Sequence, residues 1–194
     1  MVKNKQMDAI PLKKMTLSEY FEFDKNSDGR FEYFDGEVFE MSGVSIEHAD
    51  IEANLIAILK QKLVSKNCKV NPANVRIKVP ILPTYRYADV TALCDERIVE
   101  KIEGLDVLVN PTLIIEVLSP STESYDRGEK FAEYKSIKSL KEYLLVSQDK
   151  KFITLYTKYN EKFWFQSEYF ADETLKLESL DIELSVDEIY EGII

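Results

Sequence analysis

The chain has 194 residues, of which 45% are hydrophobic and 31% charged, with a formal net charge of −10 and a pI near 4.8. This length supports one domain with a full core, and no stretch has the roughly 20 apolar residues of a membrane-spanning helix. The acidic balance excludes a surface that coats nucleic acid broadly, while leaving room for a local basic cleft.

Residues 1–15, MVKNKQMDAIPLKKM, lack the long apolar run of a secretory leader. They are expected to form a loose arm ahead of a single domain over 16–194. Cys68 and Cys94 are too few for a disulfide framework and lack metal-motif spacing. They read as buried thiols of a cytoplasmic protein. Thr16 and Glu19 have capping-box spacing, which predicts a helix to about Asp24. Asp24, Asn26, Asp28, Gly29 and Asp35 match most of a calcium loop. The residues after it alternate around Asp35-Gly36, a hairpin turn signal, where a calcium-binding hand would need a second helix. The calcium reading is therefore set aside.

Ile51, Leu55, Ile58, Leu59 and Leu63 fall at helical spacing and predict a helix over Ile46–Lys66, with Ser45 as N-cap. Cys68–Ile81 and Tyr87–Leu93 read as strands, the second carrying Asp89. Asp95–Glu103 reads as a polar connection or short helix. Thr112–Leu118 is a β-branched and leucine run, the pattern of a strand buried on both faces. A charged helix over Tyr125–Ile137, a strand at Glu142–Val146 and an aromatic hairpin at Lys151–Tyr159 and Lys162–Tyr169 follow. Val186, Ile189 and Tyr190 predict a short helix near the C-terminus. The strands come in clusters, which predicts an α/β (α+β) domain with a mixed central sheet flanked by helices.

The chemistry concentrates after residue 112. Glu116 sits inside the buried strand, and such a carboxylate requires a metal, a partner or a hydrogen-bond network. Ser119-Pro120-Ser121-Thr122 ends the strand, because proline cannot continue a central ladder. Asp126, Lys130 and Tyr134 recur every four residues and so share one helix face. Two carboxylates, Asp89 and Glu116, on neighbouring strands suit a hard divalent cation such as magnesium or manganese. A cation there polarises a phosphoryl oxygen and supplies a hydroxide nucleophile, and Lys130 would orient the attacking water and stabilise developing charge. Each residue also has a plainer role. Asp89 would pair with Lys78 or Arg86, Lys130 with Asp126 on a solvated helix, His48 would cap a helix, and Glu37 would be a solvated hairpin residue.

Taken in order, GRFEYFDGEVFEMSGVSIEH, YADVTALCD, LIIEVLSPST, a D-x3-K-x3-Y helix and EYLLV resemble the Uma2 family (DUF820-type) of bacterial endonucleases. The resemblance covers about residues 16–160. It implies a restriction-endonuclease-like PD-(D/E)XK fold and a metal-dependent endonuclease using Mg2+ or Mn2+ on DNA. Asp89 matches the family's first metal aspartate, although Ala88 stands where the family usually has proline. Glu116 matches the second metal ligand. The lysine two residues later is replaced by Leu118, and Lys130 matches the position to which its role moves. Glu37 matches an early glutamate, His48 the histidine that opens the long helix, and Asp126 and Tyr134 supporting helix positions. The acidic pI and the missing lysine also admit a catalytically inactive binding or assembly module on the same fold. The aromatic hairpin around Trp164 is either core or an apolar face for a homodimer.

Overall fold

The computed structural model describes residues 12–41 and 43–194. The expected loose arm lies outside the described residues up to position 11. Its final part is ordered, because Lys13–Lys14 form an edge strand (β1) against Glu37–Glu40 (β3). Helix α1, Leu17–Lys25, begins with the predicted capping box: Thr16 N donates to Glu19 Oε2 at 2.8 Å and Glu19 N to Thr16 Oγ1 at 3.4 Å. Phe31–Phe34 (β2) and β3 then form the predicted hairpin. Asp35 and Gly36 turn with φ of 44° and 91°, the left-handed pair that a tight hairpin demands. No second helix leaves the 24–29 loop, and the buried Asp24 carboxylate is taken by the Arg76 guanidinium.

Two sheets carry the fold. The seven-stranded one runs β1-β3-β2-β6-β5-β9-β8, where β5 is Arg76–Val79, β6 Thr84–Tyr87, β8 Val99–Ile102 and β9 Leu105–Leu108. The six-stranded one runs β13-β12-β11-β10-β7-β4. Its strands are β4 Lys69–Pro72, β7 Val90–Leu93, β10 Leu113–Leu118, β11 Glu142–Ser147, β12 Phe152–Lys158 and β13 Trp164–Phe170. It is mixed: β10 is parallel to β11 and antiparallel to β7.

Several sequence expectations need correction. Cys68–Ile81 is two strands, because the chain turns after Pro72 and leaves one sheet for the other. Tyr87–Leu93 is likewise divided: β6 belongs to the seven-stranded sheet, β7 to the six-stranded one, and Ala88-Asp89 cross between them. Asp95–Glu103 holds no helix but the start of the β8–β9 hairpin, turned by Glu103 and Gly104 at positive φ. Cys68 and Cys94 are half-buried and joined as a disulfide, not buried thiols. The β4–β7 register explains the pairing: Lys69 lies opposite Leu93, so the residues just outside the ladder face each other. Near the C-terminus, a further hairpin, β14 Thr174–Leu177 and β15 Ile182–Ser185, precedes a single helical turn at Val186–Ile189.

Helix α2, Ile46–Leu63, packs on one face of the six-stranded sheet through Ile51, Leu55, Leu59 and Leu63. Each is at most 2% exposed, and burying such a side chain is worth about 1.5–3 kcal/mol. The other face is covered by α3 (123–134), which the structure builds from an α-turn at Glu123–Tyr125, five π-helical residues at Asp126–Lys130 and an α-turn at Phe131–Tyr134. It is shorter than the predicted 125–137 and less regular. Phe131 anchors it, stacked on Tyr143 at 5.0 Å and edge-on to Trp164 at 5.4 Å. The aromatic hairpin is thus divided, with Trp164 and Tyr156 against the core and Phe163, Phe165 and Phe170 exposed.

Candidate metal centre

Strand parity decides where Glu116 points. Leu113, Ile115 and Val117 join the core cluster under α2, while Ile114 and Leu118 join the cluster under α3. Glu116, two residues from each of the latter, therefore faces α3. It is 4% exposed. Lys130 Nζ lies 2.9 Å from its Oε1, and the Tyr134 hydroxyl donates to the same oxygen at 2.9 Å. Lys130 Nζ is also 3.5 Å from Asp126 Oδ1. The predicted shared face of Asp126, Lys130 and Tyr134 thus exists and is buried. Its backbone is π-helical from Asp126 to Lys130, a wide turn frequent at functional sites, and the Asp126 carbonyl accepts from the Tyr143 hydroxyl at 3.1 Å.

One lysine serves several carboxylates here. Burial pushes the Glu116 carboxyl well above the usual range, against the pull of Lys130, and Asp89 and Asp126 push it further. Burial alone would lower the Lys130 ammonium, but Glu116 and Asp126 outweigh it and hold its pKa above the ordinary value.

Asp89 reaches this centre from the crossing between sheets. Its Oδ2 accepts from the backbone N–H of Val117 at 2.7 Å, which locks it beside Glu116. Its Oδ1 lies 3.3 Å from His48 Nε2. The alternative partners are engaged elsewhere: Lys78 pairs with Glu100, and Arg86 with Glu32 and Glu133. His48 occupies the first turn of α2, where its N–H donates to the capping Ser45 hydroxyl at 3.2 Å, and its ring is turned inward. One helical turn later stands Glu52. Ligand atoms of His48, Glu52 and Asp89 all lie within 4.8 Å of one another.

His48 and Asp89 open on a cavity of about 460 Å³ that is also lined by Glu32, Glu116, Asp126, Lys130, Ser119, Ser121 and Thr122; Glu52 is not among its lining residues. Glu37 is not among the lining residues. It sits beside the hairpin turn, paired across the ladder with Phe34, at the far end of β3 from the cavity. This hairpin sends Glu32 and Glu40 to the cavity instead, and Glu32 accepts from Tyr87 N at 3.1 Å and from the fully buried Arg86 at 2.8 Å. Sequence reasoning missed Glu32 because its partner is 54 residues away. It missed Glu52 although the His-x3-Glu spacing on a helix was present.

Set against known proteins, residues 17–187 match the model of the Uma2 family, described as "Putative restriction endonuclease". The chain is 34% identical to "Uncharacterized protein slr1290" of Synechocystis over 185 residues, 95% of this chain and 96% of that one. It is 28% identical to "Uncharacterized protein sll1609" of the same organism, over 86% of this chain and 93% of that one. A crystal structure of "a putative nuclease belonging to DUF820" from Anabaena variabilis superposes with a TM-score of 0.72 at 14% identity, covering 91% of this chain and 98% of that one. That likeness bears out the mixed α+β fold. No helix among the described residues is long and apolar enough to cross a membrane. Because the family model spans residues 17–187, most of the sequence, the chain is a member of the Uma2 family.

Proposed function

We propose that this chain is a divalent-cation-dependent endonuclease that hydrolyses phosphodiester bonds in DNA. The observation that carries the reading is the convergence of Asp89, Glu116 and Lys130, which come from an inter-sheet crossing, a central strand and a helix, on one cavity. The donor set suits a hard cation: Asp89 spends one carboxylate oxygen on Val117 N, and Glu116 spends one on Lys130 and Tyr134. Each keeps a second oxygen to offer, the ligand type that magnesium and manganese prefer. When bound, such a cation polarises a phosphoryl oxygen and raises the acidity of a water bound to it.

The chain's own residues supply the rest. Tyr134 fixes the rotation of the Glu116 carboxylate through its hydroxyl. Asp126 also holds Lys130, so the ammonium is shared by two carboxylates at the cavity wall. There it supplies the positive charge that an in-line attack on a phosphate requires as charge builds in the transition state. The lysine absent at position 118 is thus replaced in function by one from the facing helix.

Incubation of supercoiled plasmid with the protein and Mg2+ or Mn2+ tests this. Nicking or linearisation is expected, with Glu116→Gln and Asp89→Asn slower by about 100-fold or more. Failure to cut supercoiled, linear or single-stranded DNA with either cation refutes the enzyme, and DNA binding without cutting would assign the inactive binding module instead.

A further inference from the structure

We infer that His48 and Glu52, with Asp89 as the shared ligand, form a second cation site that takes a borderline first-row divalent ion through a histidine nitrogen. This goes beyond the nuclease reading, which uses neither His48 nor Glu52. Three observations carry it. First, His48 is 6% exposed, yet its Nε2 has no hydrogen-bond partner among the described residues. A buried imidazole nitrogen left without a partner is costly. Second, although Nε2 is 3.3 Å from Asp89 Oδ1, the two are not aligned as a hydrogen bond. A nitrogen and an oxygen at that separation but out of line are placed as ligands around a common point are placed. Third, Glu52 follows His48 at i+4 on the same helix face. It spends one oxygen on the Ala73 N–H at 3.4 Å and brings a carboxylate within 4.8 Å of the other two donors.

Atoms bound to one cation at about 2.0–2.2 Å stand roughly 3–4 Å apart. The His48–Asp89 separation of 3.3 Å already meets this, and the Glu52 carboxylate lies within 4.8 Å of both. The nitrogen sets the ion class. Imidazole suits iron(II), cobalt, zinc and related ions better than magnesium, whereas the all-oxygen pair of Asp89 and Glu116 suits magnesium. Two adjacent positions of different chemistry thus meet at Asp89, which with His48 lines the cavity.

The composition makes the test specific: the chain contains one histidine, so any histidine nitrogen on a bound ion is His48. Tag-free protein, stripped with chelator and loaded with Mn2+, is examined by pulsed electron paramagnetic resonance for coupling to nitrogen-14. Isothermal titration gives affinity and stoichiometry. Two Mn2+ per chain and an imidazole coupling are expected. His48→Gln should remove the coupling and reduce the stoichiometry to one. Glu52→Gln should weaken the affected site by about 10–100-fold, and Glu116→Gln should keep the coupling. Absence of coupling in the saturated wild-type protein, its survival in His48→Gln, or its loss in Glu116→Gln would overturn the inference. Should His48→Gln fail to fold, the wild-type spectrum and Glu52→Gln decide alone. DNA cleavage without nitrogen coupling would defeat this site and spare the nuclease; nitrogen coupling without cleavage would do the reverse.

Discussion

Replacing Lys130 with methionine removes the ammonium that lies 2.9 Å from Glu116 and 3.5 Å from Asp126 while keeping most of the apolar stem in place. Glu116 and Asp126, each 4% exposed, then lose the positive charge between them. Breaking a buried ion pair on one side costs about 3–5 kcal/mol, because the remaining charge is neither solvated nor paired. Against a total stability of about 5–15 kcal/mol for an ordinary domain, this is a large fraction. The Tyr134 hydroxyl still reaches Glu116, which favours the lower end of the range. Urea unfolding followed by the fluorescence of Trp164 measures it directly, since this is the only tryptophan and it packs against Phe131 on the same helix. The cost must also depend on pH. Burial already places the Glu116 carboxyl above its unfolded value, and without Lys130 it rises further. An acid whose folded pKa is raised is stable in its protonated form, and that stability is lost as pH rises. The penalty of Lys130→Met is therefore smaller at pH 5 than at pH 7. A variant within about 1 kcal/mol of wild type at pH 7, or a penalty that grows on acidification, would refute the buried charge pairing.

Two further outcomes follow from the packing. Leu55→Ala, at a fully buried position of α2, should cost about 2–5 kcal/mol in the same assay; a cost below 1 kcal/mol would mean that α2 does not close the six-stranded sheet. Burial pushes the Tyr20, Tyr87 and Tyr190 phenols well above their ordinary value. Their contribution to stability is complete below about pH 10 and is lost as pH rises beyond it. Tyrosinate absorbance at 295 nm from these residues should accordingly appear together with unfolding, and gradual ionisation in the folded protein would contradict their burial.

The parts of the fold visible in the sequence were those set by local physics. The capping box at Thr16 and Glu19, the Asp35-Gly36 turn, the helical spacing of Ile51 to Leu63 and the uniformly apolar strand at 113–118 each depend on residues a few positions apart. Glu116 was conspicuous because a carboxylate in such a strand needs a partner, and the four-residue spacing of Asp126, Lys130 and Tyr134 named where the partner would come from. What stayed hidden depends on long-range pairing. The run from Thr84 to Leu93 is apolar or satisfied at nearly every position, so nothing local marks the change of sheet at Ala88-Asp89. Glu32 reads as a solvated strand residue until Arg86, 54 positions later, is seen to be buried against it. The disulfide needed the β4–β7 register. The β8–β9 hairpin did leave a trace, since Val99–Ile102 and Leu105–Leu108 alternate around Glu103-Gly104. Glutamate, however, is an unusual residue at a positive φ, so the pair does not announce a turn as Asp35-Gly36 does.

The proposed nuclease site requires that Asp89 and Glu116 jointly hold a hard divalent cation beside Lys130. Anomalous diffraction from a crystal soaked in manganese tests it most directly. A peak is expected at about 2.0–2.3 Å from one carboxylate oxygen of each residue, on the cavity side of Lys130. A fully soaked crystal with no peak in that position, or with manganese bound only to surface carboxylates, would contradict it.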